Sequence, residues 1–256
     1  MTKPFQAGHA AENGTVAVDL AALGWTASND ILEAPLGFFQ AEGGGYDPSV
    51  IVDRLGKPWT LVSPGVSIKP YPSGSLSHPA MGELMKLIRE HDIKPEEVEK
   101  VDVGANHAMT TSLLHHDPMT GLQGKFSMEF CMSILLLERK AGLAQFQDKV
   151  VQRPDVQAMI KRIHFYIDPV AENAGLDKMT SLLKITMKDG KVYTGEAQFA
   201  KGSPMNPMSY DEVADKFRGC GEFAKWPTKK VEAVIEAVKT MEEVPDVSKL
   251  AALLTV

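Results

Sequence analysis

Between residues 183 and 197 the sequence alternates so regularly that a β-hairpin is the one local structure that fits. Leu183, Ile185 and Met187 alternate with Lys184 and Thr186 as far as Asp189-Gly190, and residues 191–197 follow as the returning strand. Period-two alternation puts the apolar side chains on one face, and Asp-Gly supplies the backbone a tight hairpin turn requires. Any fold of this chain therefore contains a sheet. The helical patterns around the hairpin make the middle of the chain α+β.

Those patterns are amphipathic. Pro79 sits in the first turn of a helix whose apolar face is Met81, Leu84, Met85 and Ile88, and residues 92–97 turn into a short strand around Val101 and Val103. Phe126, Phe130, Ile134 and Leu137 are spaced to line a further helix, and Val156, Met159, Ile160 and Ile163 another. Upstream the texture differs. Ala7, Ala10, Ala11, Gly14, Val18 and Ala21 recur at helical spacing over residues 6–23, and such a small-residue stripe suits close packing against other helices. The sequence up to Gly65 offers only a short helical patch at residues 30–32, followed by Gly43-Gly44-Gly45, Pro48, Pro58 and Pro64 as breakers. Downstream, Ser209 and Glu212 form a capping box ahead of Val213 and Phe217. Thr228 is placed to cap a helix bearing Val231, Val234, Ile235 and Val238, and residues 250–254 form a short apolar tail. The order predicts a helical segment at 1–65, an inserted α+β domain at 66–201 and a helical segment at 202–256.

Composition narrows the function classes. With 27 Lys and Arg against 33 Asp and Glu the net charge is −6, which disfavours nucleic acid as a partner. The longest apolar runs, such as residues 134–137, fall far short of the ~20 residues of a membrane helix, so no membrane span is expected. Cys131 and Cys220 cannot make a disulfide framework, and the first residues do not read as a secretory leader, so the expected compartment is the cytoplasm. No GxGxxG, Walker loop, GxSxG or CxxC is present, which takes away most of the sequence support for a nucleotide cofactor or an acyl-enzyme.

The densest polar segment is KPYPSGSLSHP at residues 69–79. Two prolines stiffen it, Gly74 lets backbone amides approach a ligand, and it runs into a helix N-terminus, where unpaired N–H groups favour anions. Lys69 adds a cation, and Ser73, Ser75 and Ser77 add hydroxyl donors. A carboxylate site and a plainer arrangement, with Ser77 or His78 capping the helix and Lys69 solvated, both fit this composition. Lys3, just ahead of the small-residue helix, is a cation near a positive helix end, which an anion would relieve; as a terminal residue it also reads as surface. His115-His116-Asp117 has the look of a metal patch but lacks convergent partners and reads as a surface loop. Lys125 and Ser127 open the Phe126 helix, with Ser127 either a cap or a ligand donor.

Five ordered landmarks resemble those of the MmgE/PrpD family: TKPFQAGHAA at 2–11, DILEAPLGFF at 30–39, the 69–79 segment, GKFS at 124–127, and GSPMNPM at 202–208 followed by KFR at 216–218. The resemblance implies an α+β protein in which all-helical domain segments flank an inserted α+β lid. It implies a lyase, dehydratase or decarboxylase, that takes a small di- or tricarboxylate such as 2-methylcitrate or cis-aconitate in the cleft between them, with no metal and no organic cofactor. By the same resemblance Lys3 and Lys69 bind substrate carboxylates, His78 is the catalytic candidate, and Ser73, Lys125 and Ser127 line the substrate. Leu76 replaces the first His of a His-x-His seen in many members, which leaves the reaction open. Family members carry a helical region with a catalytic Asp and several His ahead of the KPxxxG stretch at which this sequence starts. The expectation is a C-terminal part that acts only with that region, as a homo-oligomer or in complex with an N-terminal helical-domain subunit. A non-catalytic carboxylate-binding or partner subunit and a dicarboxylate isomerase or epimerase are the competing readings.

Overall fold

The computed structural model describes residues 2–176 and 178–255, and the chain divides into two compact units, Met1–Ser63 and Pro64–Val256.

In the first unit α1 (Thr2–Ala22) covers the small-residue stripe and has no buried residue. The helical patch expected at residues 30–32 is a turn instead. The amides of Phe38 and Phe39 return to the carbonyls of Ile31 and Leu32, closing a loop around Pro35 before α2 (Phe38–Gly43) begins. Gly37 at the neck of this loop is buried, and a Cβ there would meet the Ala34 backbone at 2.9 Å, so a residue without a side chain is required.

The second unit holds the core. In chain order it contains α3 (His78–His91), β1 (Val98–Ala105), α4 (His107–Ser112), α5 (Gly121–Gly124), α6 (Met128–Glu138), α7 (Asp148–Val151), α8 (Pro154–Ile160), β2 (Ile163–Ile167) and α9 (Pro169–Asn173). The hairpin β3 (Ser181–Met187) and β4 (Val192–Ala197) follows, then α10 (Tyr210–Phe223), α11 (Thr228–Lys239) and α12 (Ser248–Leu254). The four strands form one sheet in the order β2-β1-β3-β4, antiparallel except for the parallel β1/β2 pair. This is the α+β class expected from the sequence. Met81, Leu84 and Ile88 of α3 are fully buried with Val101, Val103 and Ile185 of the sheet and Phe130, Ile134 and Leu135 of α6. Helix α6 is buried on every side: its residues from Met128 to Leu136, mostly apolar, are all buried.

Three local expectations need correction. Ile163 does not extend the face of α8; that helix ends at Ile160, and Ile163 opens β2, paired with Val101 of β1. A parallel partner needs a long crossover, and α4 to α8 supply it. Phe126 precedes α6 and is 41% exposed rather than lining it. Thr228 is the first helical residue of α11, not its cap; Pro227 holds the cap position with no side-chain bond. The capping box of α10 forms as expected, with Glu212 N donating to Ser209 Oγ at 3.2 Å and Ser209 N donating to Glu212 Oε2 at 2.7 Å. Among the described residues no helix is long and apolar enough to cross a membrane.

Candidate functional site

The 69–78 segment is held on both sides. Ile68 N donates to Gly202 O at 2.7 Å, and Gly74 N donates to Lys125 O at 2.8 Å. Gly202 lies at φ +86° with Ile68 O where a Cβ would stand, so only glycine permits this approach. Held this way, the segment buries Ser73, Ser77 and His78 while Lys69 and Ser75 stay exposed. Lys69 Nζ donates to Ser73 O at 3.1 Å, Ser77 Oγ donates to Gly74 O at 2.8 Å, and Ser73 Oγ lies 3.1 Å from both Ser77 Oγ and His78 Nε2. Although Ser77 occupies the N-cap position of α3, its hydroxyl is spent within the loop and makes no cap bond.

Burial sets the chemistry of this cluster. His78 is 2% exposed; its burial, and then the Lys69 ammonium, pull its pKa down to about 4, so the imidazole is neutral at pH 7. Beneath it, full burial pushes the Cys131 thiol up to about 12, which makes it a packed apolar group rather than a nucleophile. The Tyr71 ring stands edge-on to His78 at 5.6 Å. Burial raises the Tyr71 hydroxyl above its ordinary pKa against the opposing pull of Arg89, so it stays a neutral donor.

On its outer side the segment borders a cavity of about 680 Å³. Its wall carries five basic residues, Lys69, Arg89, Arg139, Lys140 and Lys216, against two acidic ones, Asp215 and Glu222. In a chain of net charge −6 this is a local reversal of sign, and a concave positive surface concentrates anions. Met85, Leu135 and Phe223 complete an apolar floor, and a cleft of this size and character is typical of small-molecule sites.

The sequence candidates are therefore partly gathered. Lys69, Ser73 and His78 form one cluster. Lys125 and Ser127 lie on the adjoining segment, where Ser127 is fully buried and caps α6 by accepting from Phe130 N at 3.2 Å. Lys3 belongs to α1 in the first unit. Sequence reasoning passed over Arg89, and it met Lys216 only within the KFR landmark, with no site role. It also passed over Glu129, a buried carboxylate in the first turn of α6 that accepts from Ser127 Oγ at 3.2 Å and lies 2.7 Å from His116 Nδ1. A Glu in the first turn, next to the apolar run that follows it, was the available signal for Glu129, since a buried carboxylate needs partners. Among the described residues no group of three or more His, Cys, Asp or Glu is placed to hold a metal ion.

The chain belongs to the MmgE/PrpD family: residues 71–243 match the MmgE/PrpD C-terminal domain. It is similar to cis-aconitate decarboxylase of Homo sapiens, 24% identical over an alignment 266 positions long that covers 99% of this chain and 53% of the relative. The corresponding figures are 26% identity for cis-aconitate decarboxylase of Mus musculus, with 99% and 52% covered, and 23% for that of Aspergillus terreus, with 99% and 54%. The chain spans about half the length of the curated relatives it matches.

Proposed function

We propose that this chain forms the carboxylate-binding part of an MmgE/PrpD-type lyase that dehydrates or decarboxylates a small di- or tricarboxylate such as 2-methylcitrate or cis-aconitate. The observation that carries the reading is the cationic cleft beside Lys69 in an otherwise acidic protein. In such reactions a base takes a proton beside a substrate carboxylate, or carbon dioxide leaves, and negative charge grows on the substrate; fixed cations stabilise that charge more in the transition state than in the ground state. Lys69 holds a carboxylate at the cleft wall. Ser73 and neutral His78, joined by their 3.1 Å hydrogen bond, set the shape of the loop that carries it, and His78 is assigned as the catalytic candidate on the family resemblance alone. Lys3, and Lys125 with Ser127, are assigned to the substrate on the family resemblance.

The same cleft favours turnover that depends on a further segment. Its wall contains no His, and its two carboxylates are already paired, Asp215 with Arg218 at 2.8 Å and Glu222 with Lys140 at 3.6 Å. The base then comes from a helical region such as the remaining half of the relatives' length. Without it the chain binds carboxylates and turns nothing over, which is the form that the non-catalytic reading takes here.

Calorimetry with citrate and cis-aconitate tests the binding half. Lys69→Ala removes a charged hydrogen bond and should weaken affinity by roughly 1.5 to 3 kcal/mol. Co-expression with the N-terminal helical half of a relative should yield loss of water or carbon dioxide from substrate. Unchanged affinity in Lys69→Ala, with no turnover in the complex, would sink the reading.

A further inference from the structure

We propose that Arg89 and Lys216 form a second anion subsite in the cleft, which makes it select ligands bearing two or more carboxylates over monocarboxylates. The proposal rests on the reading above, in which Lys69 takes the first carboxylate.

Charge pairing within the cavity separates its basic residues into two groups. Arg139 is bound to Asp92 at 2.8 Å and to Ile93 O at 3.3 Å, and Lys140 lies 3.6 Å from Glu222. The second acidic residue of the wall, Asp215, is taken by Arg218. Arg89, Lys216 and Lys69 have no carboxylate partner among the described residues, so the unpaired charge of the wall is entirely positive. Acidic residues outnumber basic ones in this chain, so three free cations around one concavity form a pattern that a bound anion would complete.

The three cations also come from three separate elements. Lys69 stands on the loop before α3, Arg89 in the last turn of α3 one turn beyond Met85, and Lys216 in the middle of α10. A carboxylate seated at Lys69 leaves the cations carried by the two helices to further carboxylates, which a ligand bearing several along a carbon chain supplies. Tyr71 lines the same cavity, and burial keeps its hydroxyl protonated, so it adds a neutral donor to the wall.

The KFR landmark gains a division of labour. Arg218 binds Glu232 through two hydrogen bonds of 2.7 and 2.8 Å, tying α10 to α11, and Phe217 meets Trp226 edge-on at 6.4 Å. Both are structural. Lys216 is the member of the three that lines the cleft.

The full chain is titrated with citrate by calorimetry and with acetate by chemical-shift perturbation, in the wild type and in Arg89→Gln, Lys216→Gln and Lys69→Gln. Arg89 and Lys216 are both exposed, so thermal melts matching wild type check that the variants fold. Arg89→Gln and Lys216→Gln should each lower citrate affinity roughly ten- to a hundredfold while leaving acetate within about twofold, and Arg89→Lys should recover part of the loss. Lys69→Gln should weaken both ligands. An unchanged citrate-to-acetate ratio in Arg89→Gln and Lys216→Gln would overturn the subsite while leaving Lys69 in place. Equal loss of both ligands in those two variants would overturn it too, by making them part of one common site. Loss confined to these two, with Lys69→Gln silent, would keep the subsite and remove the Lys69 reading instead.

Discussion

Helices α1 and α6 lie in different units and differ in what holds them. α1 runs for 21 residues without one buried side chain, whereas α6 is half as long and buries all but its last two residues. The apolar residues of the first unit are largely exposed, Val18 at 68% and Leu36 at 93%, whereas Met81 and Leu84 of the second are fully buried. α1 also carries Gly8 and Gly14 in its interior, each costing about 1 kcal/mol relative to Ala. Most helical stability in proteins comes from packing an apolar face, and α1 lacks that contribution. The lesson is that local pattern makes a helix possible and burial makes it persist.

Hydrogen exchange should separate the two units most strongly. Amides of α1 are expected to exchange within about a hundredfold of an unstructured peptide, while those of β1 and β3 open only with the global unfolding free energy, on the order of 5–15 kcal/mol. Protection in α1 equal to that of β3 would erase the distinction. Core deletions come next. Leu84→Ala should cost about 2–5 kcal/mol and Val18→Ala less than about 0.5 kcal/mol, read by urea unfolding of Trp226 fluorescence with Trp25 and Trp59 replaced by Phe.

A third test uses pH. The His78 imidazole titrates near 6.5 when unfolded and about 4 when folded, so between those values the unfolded chain holds more protons. Stability should be full above pH 6.5 and fall by roughly 3 kcal/mol as pH drops to 4. His78→Gln should flatten that slope in the second unit. An unaltered slope would mean that the imidazole is not buried. The smallest effects concern caps. Ser209→Ala should destabilise the second unit by about 1 kcal/mol, and Thr228→Ala by less than about 0.5 kcal/mol because Thr228 makes no cap bond. Asp47 accepts from Ser49 N at 2.8 Å in the first unit, and Asp47→Ala should leave the Trp226 transition unchanged.

The elements that were legible in advance are those whose information is local. α3 shows its apolar face at helical spacing, the β3–β4 hairpin shows alternation around Asp189-Gly190, and Ser209 with Glu212 spells out its own cap. β2 was not legible, because its partner β1 lies across five intervening helices and nothing within residues 163–167 names it. Thr228 misled for a smaller reason: one position inside the helix its backbone is already helical, and only the extended backbone of the cap position turns a hydroxyl onto the first-turn amides. At the candidate site the polar run from Lys69 to His78 was visible as a cluster along the chain. Arg89 and Lys216 were not, since each reads as an ordinary solvated cation of an amphipathic helix until both are found around one cavity.

The sequence by itself determined the α+β class, the positions of the main helices and of the hairpin, and the family, because periodicity, turn chemistry and motif order are properties of contiguous residues. Tertiary structure alone decided that His78 is neutral, that Cys131 is inert and that Ser127 serves as a cap, because a pKa or a free hydroxyl depends on which groups and how little water surround it. It also decided where positive charge gathers. A net charge of −6 is a sum over the chain, whereas the cationic cleft exists only because a loop and two helices distant in sequence are brought around the same space.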